Sequence, residues 1–187
     1  MGDTQRPMLV LKTGEAAIDL LNPTPGQVNV DDMLHNLSRI PRWCGAGKLS
    51  VLQHMMLVSL SLHDAGESRV TVLAGLTHDL HEYATGDIPA PLLTGLMYDD
   101  GVALHRVTDM QRHIQVAIQA RLGIDLTGAD MYAVQRADEQ ARQWDTADLY
   151  TIDLLELSTS ARAIALDTAD QVIAKYRRGL KQLGVEI

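Results

Sequence analysis

Phenylalanine is absent from this 187-residue chain, and all aromatic residues together make up 4% of it. A core must therefore be assembled from Leu, Ile, Val, Met and Ala, a set that leans towards helix. Cysteine occurs once, at Cys44. That excludes an internal disulfide and a thiolate zinc site and fits a reducing cytoplasm; Cys44 itself reads as a small packed thiol rather than a nucleophile. Long apolar runs are missing too. The longest, around Met55 to Leu62, is far too short to span a bilayer, and the opening segment MGDTQRPMLVLKTG lacks the apolar stretch of a signal peptide. A cytoplasmic protein without a membrane partner is the expectation. Positive charge is scarce: 16 Lys and Arg stand against 24 Asp and Glu, a formal net charge of -8. Such a surface repels a nucleic-acid backbone, so no nucleic-acid partner is expected. A small anionic substrate stays compatible, because a metal and a few Arg can reverse the field inside a cleft. No phosphate-binding glycine motif of the P-loop or dinucleotide kind is present.

What is there is helical periodicity. Hydrophobic residues make up 46% of the chain, enough to bury a core in one domain spanning 1–187. Residues 8–12 suggest a short extended arm, and Asn22-Pro23 with Pro25-Gly26 a loop. Asn29 or Asp31 caps a predicted helix running to about Ile40, and Ser50 one running to about His63. Further helices are predicted over about 68–83, 101–122, 129–145 and 149–182, the last closing the bundle or joining copies of the chain. Sustained alternation of apolar and polar residues occurs nowhere, so the fold class is all-α.

The segment Leu76-Thr77-His78-Asp79-Leu80-His81-Glu82-Tyr83-Ala84-Thr85-Gly86-Asp87-Ile88-Pro89 carries the chemistry. On a helix His78 and Asp79 diverge by ~100° yet both reach an ion beside one helix edge. Glu82 shares their face, and Asp87 follows where the chain turns back. Burying such a cluster is costly unless a cation or hydrogen bonds compensate it. His54 has apolar neighbours on both sides and points inward, either as a core histidine or as a ligand. Asp138 is an acid entering an apolar helix, either a surface charge or a ligand. His81-Glu82 begins like the zinc-protease motif, but Thr85 stands where its second His is required.

Taken together, His54, His78-Asp79 and Asp138 resemble the H…HD…D signature of the HD-domain phosphohydrolases, over roughly residues 15–145. The accompanying segments are similar as well: Asp19-Leu20-Leu21-Asn22-Pro23, Arg42-Trp43, Ser50-Val51-Leu52-Gln53-His54, and the stretch from Leu76 to Leu92. Within the family the resemblance is to phage dATP triphosphohydrolases of the DatZ type and to bacterial 5'-deoxynucleotidases. It implies an HD-type helical bundle with a metal core over about 30–146. It also implies a metal bound by His54, His78, Asp79 and Asp138, and catalytic acids at Glu82 and Asp87. Arg42 would bind phosphate, Trp43 would line the sugar or base pocket, and Pro91 would stack on the base. Arg39, Lys48 and Arg136 are candidate phosphate contacts. Leu93 stands where many relatives place a Lys, and His81 where small or apolar residues are common. Two imidazoles and two carboxylates suit one first-row divalent ion such as Mn, Fe, Co, Ni or Zn, with Mg a candidate second ion on the phosphates.

The implied reaction is hydrolysis of a deoxynucleotide between the 5'-oxygen and the α-phosphorus. The leading version is a dATP (dNTP) triphosphohydrolase; the alternatives are a 5'-deoxynucleotidase acting on dNMP and a non-catalytic nucleotide sensor of the HD fold. A cyclic-nucleotide or (p)ppGpp hydrolase is disfavoured by the short chain. A homo-oligomer, dimer or hexamer, and a host-cytoplasm location for a phage-encoded chain complete the expectations.

Overall fold

The computed structural model describes residues 10–12, 14, 16–148 and 158–187. The fold is mostly helical, with two small antiparallel hairpins added. Strand β1 (Val10–Lys12) pairs with β2 (Ala17–Asp19), and fully buried Ile18 anchors this hairpin in the core. The extended arm expected at the start is therefore one strand of a pair; residues 8 and 9 of it lie outside the described residues.

Helix α1 (Val30–Leu37) begins at Asn29, whose side chain accepts from the Asp32 N–H. It stops short of Ile40: the Ser38 hydroxyl turns back to donate to His35 O and the chain tightens before Pro41. Pro41 then bridges to Ser50, closing the intervening loop. Helix α2 (Val51–Asp64) starts on a capping box in which Ser50 and Gln53 satisfy each other's backbone N–H. It is almost wholly buried and packs chiefly on α3 (Arg69–Thr77) and α7 (Met131–Asp148).

Three expectations need correction. The single helix expected over 68–83 is broken: α3 ends at Thr77, a turn carries His78 to His81, and α4 (Glu82–Thr85) follows. The reason is a set of side chains that take the last carbonyls of α3. The Thr77 hydroxyl donates to Leu73 O, His78 Nδ1 to Gly75 O, the Tyr176 hydroxyl to Leu76 O, and Gln115 Nε2 to Thr77 O. Second, after α5 (Ala90–Leu93), residues 97–106 form a hairpin, β3 (Met97–Asp99) with β4 (Leu104–Arg106). Helix α6 (Val107–Leu122) therefore starts later than residue 101. The Asp100 carboxylate accepts from the Val102 and Ala103 N–H groups, and Gly101 takes the left-handed conformation the turn requires. Third, the C-terminal helix is divided into α8 (Thr159–Ala165) and α9 (Ala169–Gln182), because Thr168 and Gln171 form a new capping box; residues 149–157 of the expected helix lie outside the described residues.

Gly75 sets how closely α2 and α3 approach. A Cβ there would lie 2.3 Å from Leu62 Cδ1 and 3.3 Å from Val58 Cγ1. Gly75→Val is expected to overpack this contact and cost about 1–3 kcal/mol, read as a fall in Tm of roughly 2–12 °C for a domain of this size. An unchanged Tm would mean the helices can separate freely.

Candidate metal centre

Three helices and one turn deliver the site. His54 stands in the first turn and a half of α2, fixed by the Ser50–Gln53 cap; Gln53 Nε2 also donates to Ile164 O, which ties α8 to this end of α2. His78 and Asp79 leave the end of α3, and Asp138 lies on α7. The four groups implied as ligands come together. His54 Nε2 is 3.0 Å from Asp138 Oδ1 and 3.9 Å from Asp79 Oδ2; His78 Nε2 is 3.1 Å from Asp79 Oδ2 and 3.8 Å from Asp138 Oδ1. The two imidazole centroids are 5.5 Å apart. An ion about 2.1 Å from each donor separates neighbouring donors by roughly 3.0–3.4 Å, so these spacings fit a shared cation.

The tautomer of His78 sharpens this. A carbonyl oxygen only accepts, so the 2.8 Å contact from His78 Nδ1 to Gly75 O puts the proton on Nδ1. Nε2 of a neutral ring is then an acceptor, yet it faces two carboxylates. It is buried and, despite the short distance to Asp79, lacks hydrogen-bond geometry. Burial alone would lower the pKa of His78, but the Asp79 and Asp138 carboxylates outweigh it and raise the pKa well above the ordinary value. Burial likewise opposes the charge on both acids, and the two imidazoles outweigh it, driving Asp79 and Asp138 well below the usual carboxylate range. The two carboxylates thus favour positive charge on His78 at this point.

Two groups have donor atoms within 4.8 Å of one another: His54, His78 and Asp138, and beside them Asp79, His81 and Glu82. Glu82 is buried, and its Oε2 has no hydrogen-bond partner among the described residues. Burial, then the charges of Asp79 and Asp87, push its carboxyl up to about 9, although Arg42 and His78 pull the other way. Asp87 is differently employed. One oxygen accepts from Arg42 Nη1 at 2.9 Å and the other from the Trp43 N–H at 2.6 Å. Trp43 and Cys44 both occupy the left-handed region, with φ of 58° and 53°, which is costly for side chains of this kind. Asp87 pins that strained turn. It also fixes buried Arg42, whose Nη1 lies 3.8 Å from Asp79 and 3.9 Å from Glu82.

A cleft of about 590 Å³ opens over this cluster, lined among others by Arg42, Trp43, Glu82, Pro91, Leu93 and Arg142. The Trp43 Nε1–H is buried and has no partner among the described residues. Arg42, Trp43 and Pro91 thus line one cleft. Arg39 and Lys48 do not: they border a separate cavity of about 250 Å³ with Asp167. Arg136 lies over the Tyr132 ring, 5.1 Å from its centroid. Cys44 is exposed rather than packed. Two residues were missed. Arg142 donates to Asp138 Oδ2 at 2.8 Å and lines the cleft; its i+4 spacing from Asp138 was the available signal. Gln111, buried on α6, also lines the cleft and carries no local signal.

The raised pKa of Glu82 has a consequence for the metal-free protein. A carboxyl that titrates near 9 when folded and near 4.3 when unfolded binds more protons in the folded state across that window. Its contribution to stability is therefore lost progressively as pH rises from the lower value to the higher. In chelator, Glu82→Gln is expected to stabilise the chain more at pH 8 than at pH 5, measured as the Tm difference from wild type. An equal difference at both pH values would contradict it.

No family model matches the chain. Over 81 residues it is 35% identical to an uncharacterized protein of Rhodobacter capsulatus, a stretch that covers 40% of this chain and 41% of that protein. The match thus spans about two fifths of the relative's length.

Proposed function

We propose that this chain is a metal-dependent phosphohydrolase of the HD type that splits a deoxynucleotide between its 5'-oxygen and the α-phosphorus. The observation that carries the reading is the 2.8 Å contact of His78 Nδ1 with Gly75 O, which leaves Nε2 as the ring atom turned to the cluster. With Nδ1–H donated to Gly75 O, its Nε2 lone pair meets Asp79, Asp138 and His54 around one point that a cation satisfies. His54, His78, Asp79 and Asp138 would hold a first-row divalent ion. When bound, it supplies Lewis-acid polarisation of a phosphoryl oxygen and lowers the pKa of water.

The chain's own residues account for the rest of the reaction. Water adds to phosphorus and releases one proton to solvent, the bond from phosphorus to the 5'-oxygen breaks, and that oxygen takes a proton from an acid that solvent then reprotonates. Glu82, which holds its proton at neutral pH in the metal-free protein, faces the cleft and is the group to protonate the leaving oxygen. Arg42, preset by Asp87, neutralises phosphate charge. Trp43, Pro91 and Leu93 give the cleft an apolar wall for sugar and base. Asp87 acts here through Arg42 and Trp43, as a positioning residue.

One observation favours the monophosphate over the triphosphate. The cationic Lys and Arg side chains lining the cleft among the described residues are Arg42 and Arg142, set against Asp79, Asp87 and Glu139. Arg39, Lys48 and Arg136, the candidates for outer-phosphate contacts, are directed elsewhere. A triphosphate carries about two more negative charges than a monophosphate, while both arginines already face Asp79, Asp87 and Asp138, so a dNMP is the better-matched substrate.

The test is product analysis with Mn or Co and each dNTP, dNMP, NTP and NMP. Orthophosphate with a deoxynucleoside, at a higher kcat/KM for dNMP than for dNTP, is expected. Inorganic triphosphate from dATP would restore the triphosphohydrolase version, and bound metal without turnover of any nucleotide would leave a sensor. Asp79→Ala should abolish metal binding. Glu82→Ala should retain the metal and lose about 100-fold or more in kcat; full activity in that variant removes the acid role from Glu82.

A further inference from the structure

We infer that Gln115, on α6 and outside the cleft, is a positioning residue that holds the His78-Asp79 turn in metal-binding geometry. The inference rests on the metal reading given above. In a continuous helix the His81 N–H would pair with the Thr77 carbonyl. Here the amide of Gln115 stands between them: Nε2 donates to Thr77 O at 2.6 Å, and Oε1 accepts from the His81 N–H at 3.1 Å. One side chain replaces one rung of the helix, satisfying both of its ends.

The backbone at His78 and His81 stays in the right-handed helical region. Beyond it the chain continues in three-residue turns, with the Glu82 N–H on Asp79 O and the Tyr83 N–H on Leu80 O. An inserted side chain is an identifiable cause of such a break. The three residues enclosed by that rung are His78, Asp79 and Leu80. Leu80 is fully buried and fixes the turn in the core, while His78 and Asp79 project to the cluster. Within the same end of α3, the His78 Nδ1–H reaches back to Gly75 O. One turn earlier on α6, Gln111 Nε2 donates to Thr85 Oγ1. Helix α6 therefore grips the segment on both sides of Glu82, and only the Gln115 contact reaches the backbone that carries the ligands.

Groups that orient metal ligands from outside commonly change metal affinity 10–100-fold when removed. Gln115→Met keeps the volume and removes both hydrogen bonds. Co(II) titration of the full chain, followed by the visible d–d spectrum, reads affinity and ligand geometry together. The wild type is expected to bind Co(II), and Gln115→Met to bind it about 10-fold or more weakly with an altered spectrum. A lower Tm with a superimposable spectrum and unchanged affinity would show Gln115 to be merely structural and overturn the inference. If Gln115→Met does not fold, Gln115→Glu, which keeps the acceptor for His81 and loses the donor to Thr77, gives the same spectral readout with the same two outcomes. A wild type that takes up no Co(II) sinks the metal reading itself, whereas a binding wild type matched by its variant sinks only this inference.

Discussion

Everything at this site depends on lone pairs that converge on one point, with Arg142 engaged on the other oxygen of Asp138 and Arg42 no nearer than 3.8 Å to Asp79. His54 and His78 each turn Nε2 towards the carboxylates of Asp79 and Asp138, all within about 3–4 Å. Buried acceptors facing one another repel unless a proton or metal lies between them. In the metal-free chain His78 answers by holding a proton well above its ordinary pKa. On the function proposed above, the same donors would ligate a divalent ion.

The fold serves this convergence by interrupting itself. Tyr176 from α9 and Gln115 from α6 take the carbonyls at the end of α3, so His78 and Asp79 emerge from a turn rather than from mid-helix. The close approach of α2 and α3 across Gly75 brings His54 beside them, and α7 adds Asp138 with Arg142 on its outer oxygen. On the cleft side, Asp87 is committed to Arg42 and to the strained Trp43 turn. Glu82 is left as the carboxyl without a hydrogen-bonded oxygen at Oε2. Two acids ten residues or less from the ligand pair thus have separate tasks, set by their neighbours rather than by their type.

Much of this was legible in the chain. The all-α class followed from periodicity, and the Ser50 cap was correct to the residue because capping is a local hydrogen-bond problem. The convergence of His54 and Asp138 on the His78-Asp79 pair was not visible locally; their order in the chain, matched to a known signature, anticipated it. What escaped has a common cause. The break at Thr77 is made by Gln115, 38 residues away, and no property of the 68–83 stretch announces it. The β3–β4 hairpin was marked by Asp100-Gly101, but an apolar run into α6 concealed it. Arg39 and Lys48 were placed by charge alone, and charge does not say which side of the Pro41–Ser50 bridge a side chain takes.

The central claim is that one divalent ion sits among His54, His78, Asp79 and Asp138. Anomalous diffraction from crystals grown with Mn or Co, recorded at the metal's absorption edge, tests it most directly. The account predicts a single strong peak about 2.0–2.3 Å from His54 Nε2, His78 Nε2 and an oxygen of each aspartate. No peak there, or a peak bonded only to Asp87 and Glu139 at the mouth of the cleft, would contradict it.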